Sequence, residues 1–142
     1  IVLMQISVVL GLAIALLDIK IMGSFFSLYG MVILGTFIFL CLGFCLGSIA
    51  KTQEAVRPIV TSFTFPQLIL SGVFFPISSM PEFIQPLAQA LPLSVIATGL
   101  RDIANDGASL LMFNATTLGV VIWIILSFFT VTKFFVWKEI AR

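Results

Sequence analysis

Residues 21–50 run for thirty positions without an Asp, Glu, Lys or Arg. That exceeds the ~20 predominantly apolar residues an α-helix needs to cross the hydrocarbon core of a bilayer. Composition agrees: the 142-residue chain is 61% hydrophobic and 9% charged, with a mean hydropathy of +1.25. A soluble domain carries about a quarter charged residues. The bilayer therefore solvates this chain. Within the run, the stretch before Tyr29 (MGSFFSL) reads as interfacial, with Tyr29 in the headgroup belt and a span over about 28–50. Gly43 and Gly47 form a GxxxG with Ser48 beside it, a pattern that permits close helix packing.

Residues 1–17 are also uncharged and predict a span of about 25 Å, closed by Asp18 and Lys20. Gly11 and Ala15 are small residues four apart on it. No basic n-region or cleavage site precedes this run, so the chain is expected to be cut from something longer. After the charged connection 51–57 (KTQEAVR), Pro58 fits the first turn of a third span over 58–75. Thr61, Thr64, Gln67 and Ser71 follow at spacings of three, three and four, which predicts one polar helical face. Such a face either bonds across to another helix or lines a path for a passing solute, and Pro66 should bend the helix between them.

Residues 70–102 are apolar yet broken at Pro76, Pro81, Pro86 and Pro92. They are too apolar for a water-exposed loop and too broken for one helix. A pair of short helices, about 81–90 and 92–102, dipping into the outer part of the bilayer satisfies both constraints, provided protein satisfies the broken backbone. Asn105-Asp106-Gly107 marks a turn, and a last span is expected over about 110–137, with Trp137 at its inner boundary. Asn114-Ala115-Thr116 matches a glycosylation sequon at the membrane edge and is treated as chance. Placing Lys51, Arg57, Lys133, Lys138 and Arg142 in the cytoplasm leaves Lys20 and Arg101 outside, with the C-terminus inside.

The chemistry excluded is as informative. There are no histidines, and no span carries an ionisable residue in its middle. That argues against ion-coupled carriers and against intramembrane hydrolysis, whether serine, aspartyl or metal-dependent. Cys41 and Cys45 share one apolar face and read as packing residues, since a zinc site wants four ligands. No catalytic or metal-binding residue is expected. No GxxxxGK[ST] loop occurs, so energy for uphill movement must come from a partner. With a net charge of +1, no polybasic surface suggests nucleic acid.

The string SGVFFPISSMP, a short helix, LPLSVIATGLR, a glycine turn and a final apolar helix together resemble the C-terminal half of an ABC type-2 permease, the membrane subunit of an ATP-binding-cassette exporter. The resemblance rests on Ser71-Gly72, Phe75-Pro76, Met80-Pro81 and Pro92-Leu93 leading to Arg101. Val95 departs from it where a polar residue is usual. The resemblance implies an all-α membrane fold: four transmembrane helices plus a re-entrant pair of short helices on the outer face (about 76–106), forming residues 1–142 of a six-span domain. It implies a non-enzymatic subunit of the translocation pathway, with Thr61, Thr64, Gln67 and Ser71 bordering that pathway. Lys51, Glu54 and Arg57 would contact a separate ATPase subunit; the positive-inside rule explains these charges equally well. The chain itself would bind no cofactor, ATP and Mg residing on the ATPase. A second permease copy and membrane lipid would complete the assembly. The expected location is a plasma membrane, the bacterial inner membrane. The competing reading is a structural or assembly membrane protein that transports nothing. Substrate is not legible.

Overall fold

The computed structural model describes residues 1–134 apart from 19, 51 and 111–113. Within them the chain forms α1 (Val2–Leu17), α2 (Phe25–Ile49), α3 (Gln53–Leu70), a 3-10 turn (Ile77–Ser79), α4 (Gln85–Ala90), α5 (Pro92–Asp106) and α6 (Ala115–Phe134). No strand occurs among the described residues. The protein is all-α. Helices α2 and α6 are long and apolar enough to cross a membrane, whereas α1 is apolar but shorter.

Local signals explain most boundaries. Thr52 caps α3, its hydroxyl accepting from the Ala55 N–H at 3.3 Å, with Glu54 in the first turn. This start overrides the expectation for Pro58, which lies inside the helix rather than in its first turn. At the sixth helical position it forgoes a backbone bond to Glu54. Gly72, at φ 75°, takes the left-handed conformation just beyond the C-cap Ser71 of α3, and Gly107, the C-cap of α5, takes it at φ 67°. Of the two short outer helices, the first is shorter than expected: residues 81–84 form a turn, closed by the Ile84 N–H on the Pro81 carbonyl at 2.9 Å.

Helix α5 packs into the groove formed by α2 and α6, which also pack directly on each other. Its Ile96 and Ile103 join Leu28, Met31, Val32 and Ile38 of α2 and Val120 of α6 in the core, with Ile38 fully enclosed. The helix fits because glycines sit where backbones approach. A Cβ on Gly35 would stand 3.0 Å from Ile96, and one on Gly119 would stand 3.0 Å from Val95. At Gly99 it would collide with Met31 on one side and press Thr116 at 3.1 Å on the other. Gly43 and Gly47, by contrast, have no atom within 4 Å of such a Cβ, and the same holds for Gly11. Between helices, close approach is made at Gly35, Gly99 and Gly119, each on a different helix.

These contacts also measure depth. Gly35 lies ten residues into α2, about 15 Å along its axis, and it meets the second turn of α5. The α4–α5 hairpin thus runs alongside α2 and α6 for a large part of their length. Replacing Gly99 by Leu should abolish or strongly reduce recovery of folded protein, because Met31 and Thr116 leave no room. Gly43→Leu should leave the folding of the single chain close to wild type. Thermal unfolding in detergent, followed by circular dichroism, distinguishes the two.

Candidate functional site

The four polar residues Thr61, Thr64, Gln67 and Ser71 differ in burial. Gln67 is 3% exposed and Ser71 fully buried, while Thr61 and Thr64 are exposed. Helical geometry keeps all four within an arc of about 120°: each step of three falls about 60° short of a full turn and the step of four overshoots by about 40°, which brings Ser71 back between Thr64 and Gln67. Burial instead follows position along the helix: Gln67 and Ser71 lie at its C-terminal end and are enclosed, whereas Thr61 and Thr64 lie nearer its middle and are not. Phe65 is exposed with them. The Ser71 hydroxyl donates to the Leu68 carbonyl at 3.2 Å, but Gln67 Oε1 is buried without a hydrogen-bond partner among the described residues.

The outer segment is held by its own backbone and by three side chains. The Pro76 carbonyl accepts from the Ser79 N–H at 3.0 Å and from the Ser79 hydroxyl at 2.6 Å. The Met80 carbonyl accepts from Gln85 Nε2 at 2.9 Å. Pro92 opens α5 and is buried, and the preceding backbone is extended at Leu91, which leaves carbonyls at the end of α4 outside any helix. One is met directly: the Trp123 indole N–H donates to the Ala90 carbonyl at 2.8 Å. Trp123 lies eight positions into α6, so this bond is made about 12 Å along that helix. Phe74, Phe75, Pro76 and Phe83 remain exposed.

The far end of α5 gathers three connections. Arg101 Nη2 donates to the Gly72 carbonyl at 2.8 Å. The Thr116 hydroxyl donates to Asp102 Oδ2 at 3.3 Å, and the Met22 N–H donates to the Ala104 carbonyl at 2.9 Å. Gly23 passes so close to the Ile103 carbonyl that no side chain fits there. Residues 22–28, expected at the interface, are thus bound to α5 at their start. Tyr29 shares a 2.7 Å hydrogen bond with Ser7 of α1. Sequence reading placed Arg101 in the outer segment but missed its link to Gly72, which only the folded geometry brings within reach. Trp123 was missed altogether. Its signal was an indole N–H in the middle of an otherwise apolar span, since such a donor seeks an acceptor when buried.

Two cavities border the hairpin. One, of about 400 Å³, is an apolar groove between α1, α2 and α5, lined by Val2, Ile6, Phe39 and Leu100 among others. Its one hydroxyl, Thr36, turns back to the Val32 carbonyl at 2.8 Å. The other, of about 370 Å³, lies between the 3-10 turn, α4, α5 and the start of α6, and is lined by Ile77, Gln89, Val95, Thr98, Ala115 and Thr116. Neither is lined by Thr61, Thr64, Gln67 or Ser71. Glu54 and Arg57 are exposed on the first turns of α3, while Lys51 lies outside the described residues, as do Trp137, Lys138 and Arg142. Cys41 and Cys45 are buried free thiols. No cluster of three metal-ligating side chains occurs among the described residues.

Comparison with known proteins adds a family. The family model described as "ABC-2 type transporter" matches residues 1–105. The chain is similar to ABC transporter G family member 20 of Dictyostelium discoideum, 27% identical over 108 residues, which is 76% of this chain and 15% of that protein. The chain therefore spans well under two thirds of that relative. No solved structure matches.

Two substitutions test how the hairpin is held. Trp123→Phe keeps an aromatic ring but strips the donor from the Ala90 carbonyl, and should cost about 0.5–1.5 kcal/mol of stability. Gly72→Ala should cost about 1–2 kcal/mol from the left-handed backbone, and its Cβ would also meet Ile77 Cγ1 at 3.0 Å. Denaturant unfolding in mixed micelles measures both.

Proposed function

The chain belongs to the ABC-2 type transporter family, and from that premise we propose that it is a membrane-spanning permease portion of an ATP-binding-cassette exporter. The family match over residues 1–105 carries this reading. In it, α1, α2, α3 and α6 are four spans of a six-span domain, and the α4–α5 hairpin is re-entrant from the outer face. The proposed location is a plasma membrane, with the C-terminus cytoplasmic. The depth reached beside α2 and α6 supports the re-entrant hairpin, as does the supply of an indole donor to its broken backbone.

The chain offers no catalytic chemistry in this account. A separate ATPase subunit, carrying ATP and Mg, docks at the cytoplasmic end through the connection between α2 and α3, where Lys51, Glu54 and Arg57 lie. Two permease copies face one another across a pathway bordered by α3. Nucleotide-driven closure of the ATPases then shifts populations between inward- and outward-open states, because each state contacts the ATPases differently. Thr61 and Thr64 present hydroxyls to the pathway. Gln67 is buried between helices in the conformation described and becomes available when α3 moves. The exposed Gly43–Gly47 face of α2 remains open for packing against another membrane helix.

Co-expression of the full-length protein with a candidate ATPase should give co-purification and permease-stimulated ATP hydrolysis. Absence of any association would replace the exporter with a non-transporting assembly protein. Gln67→Leu should reduce export more than it reduces folded yield; equal losses would mean that the amide serves packing alone. Cysteines at Ser78 or Ser79 should react with an impermeant thiol reagent in intact cells. Labelling only after lysis would invert the proposed orientation.

A further inference from the structure

Helix α3 and helix α5 are held very differently. Helix α5 is locked by Ile96, Gly99 and Ile103 into α2 and α6. Helix α3 buries a single residue of its own, Gln67, with Ser71 at its C-cap. Both lie at its outer end, and the helix before them is lightly packed. At that end the Arg101 guanidinium reaches from α5 to the Gly72 carbonyl, 29 positions away in sequence, at 2.8 Å. The carbonyl belongs to the residue that leaves α3, where unpaired backbone oxygens and the negative end of the helix dipole both attract a cation. A Cβ at Gly72 would stand 3.8 Å from Arg101 Nη1 and 3.0 Å from Ile77, so the 3-10 turn closes on the same point.

We propose that Arg101 is a positioning residue that clamps the outer end of α3 to α5, and that release of this clamp lets α3 swing away from the fixed hairpin. The parts suit a contact that opens and closes. Arg101 is exposed, so water replaces the Gly72 carbonyl when the bond breaks, and the net cost of exchange is small. Helix α5 stays in place because its glycine-lined contacts do not involve Arg101. The neighbouring bonds, Thr116 to Asp102 and Met22 to Ala104, tie α5 to α6 and to the α1–α2 connection. Release at Arg101 thus frees α3 alone. For transport, and only there, the clamp rests on the exporter reading above: it keeps the outer side shut until α3 is driven outward.

The test uses the full-length protein in lipid nanodiscs, with Cys41 and Cys45 replaced by Ala. Spin labels on cysteines at Ile69 and Asn105 report the α3–α5 distance, and labels at Ser24 and Asn105 report the distance from the α1–α2 connection to α5. Arg101→Gln should lengthen and broaden the first distribution while the second stays narrow. Arg101→Lys, which keeps a cationic donor without the planar fork, should restore it in part. An unchanged first distribution overturns the clamp, and so does equal broadening of both, which would mean general loosening. In the complete exporter, Arg101→Gln should raise the ATP hydrolysed per molecule exported several-fold; an unchanged ratio overturns the role in transport. If the wild-type protein exports nothing with its ATPase, the exporter reading fails and the distances alone decide the clamp.

Discussion

A chain that turns round part-way along a bundle of apolar helices must find donors and acceptors for the backbone it interrupts. Everything distinctive in this protein follows from that requirement at the α4–α5 junction. Pro92 starts a new helix and Leu91 is extended, so the last carbonyls of α4 have no helical partner. A backbone carbonyl kept from water without a donor is expensive. The Trp123 N–H, placed by α6 beside Ala90, meets one of them. The hairpin is tolerated because its neighbour was built to receive it.

Receiving it also demands proximity. In lipid, helices gain nothing from hiding apolar surface that the acyl chains already solvate, so close van der Waals contact has to hold them together. Here contact is bought with glycines on three different helices: Gly35 under Ile96, Gly99 against Met31 and Thr116, and Gly119 against Val95. The result is a rigid unit of α2, α5 and α6, on which α1 and α3 are more loosely set. That contrast gives functional sense to a family whose members move solutes. Arg101 sits on the seam between that unit and α3, its guanidinium on the Gly72 carbonyl.

Much of this was legible in the residues. Uncharged runs marked the long helices, prolines marked the breaks, and Gly107 after Asp106 marked the end of α5, because each signal acts on its own backbone within a few residues. The expected first turn at Pro58 failed for the same local reason: a stronger start lay upstream, in Thr52 with its hydroxyl on the Ala55 N–H. The GxxxG at Gly43 and Gly47 obeyed the pattern for close packing, yet these residues face open space in the single chain. A spacing states that two small residues share a helical face. It does not state which helix, if any, lies opposite.

By itself, then, the order of residues determined that the chain is helical, apolar enough for a bilayer and interrupted by prolines between residues 70 and 102, since charge, proline and glycine exert their effects over a turn or two. Tertiary structure decided the rest. It divided Thr61 and Thr64 from Gln67 and Ser71, because the fold encloses only the C-terminal end of α3. It brought Arg101 to Gly72 and Trp123 to Ala90, pairs about thirty residues apart. Such partners meet only after helices have packed, and no spacing within one helix encodes which carbonyl a distant side chain will find.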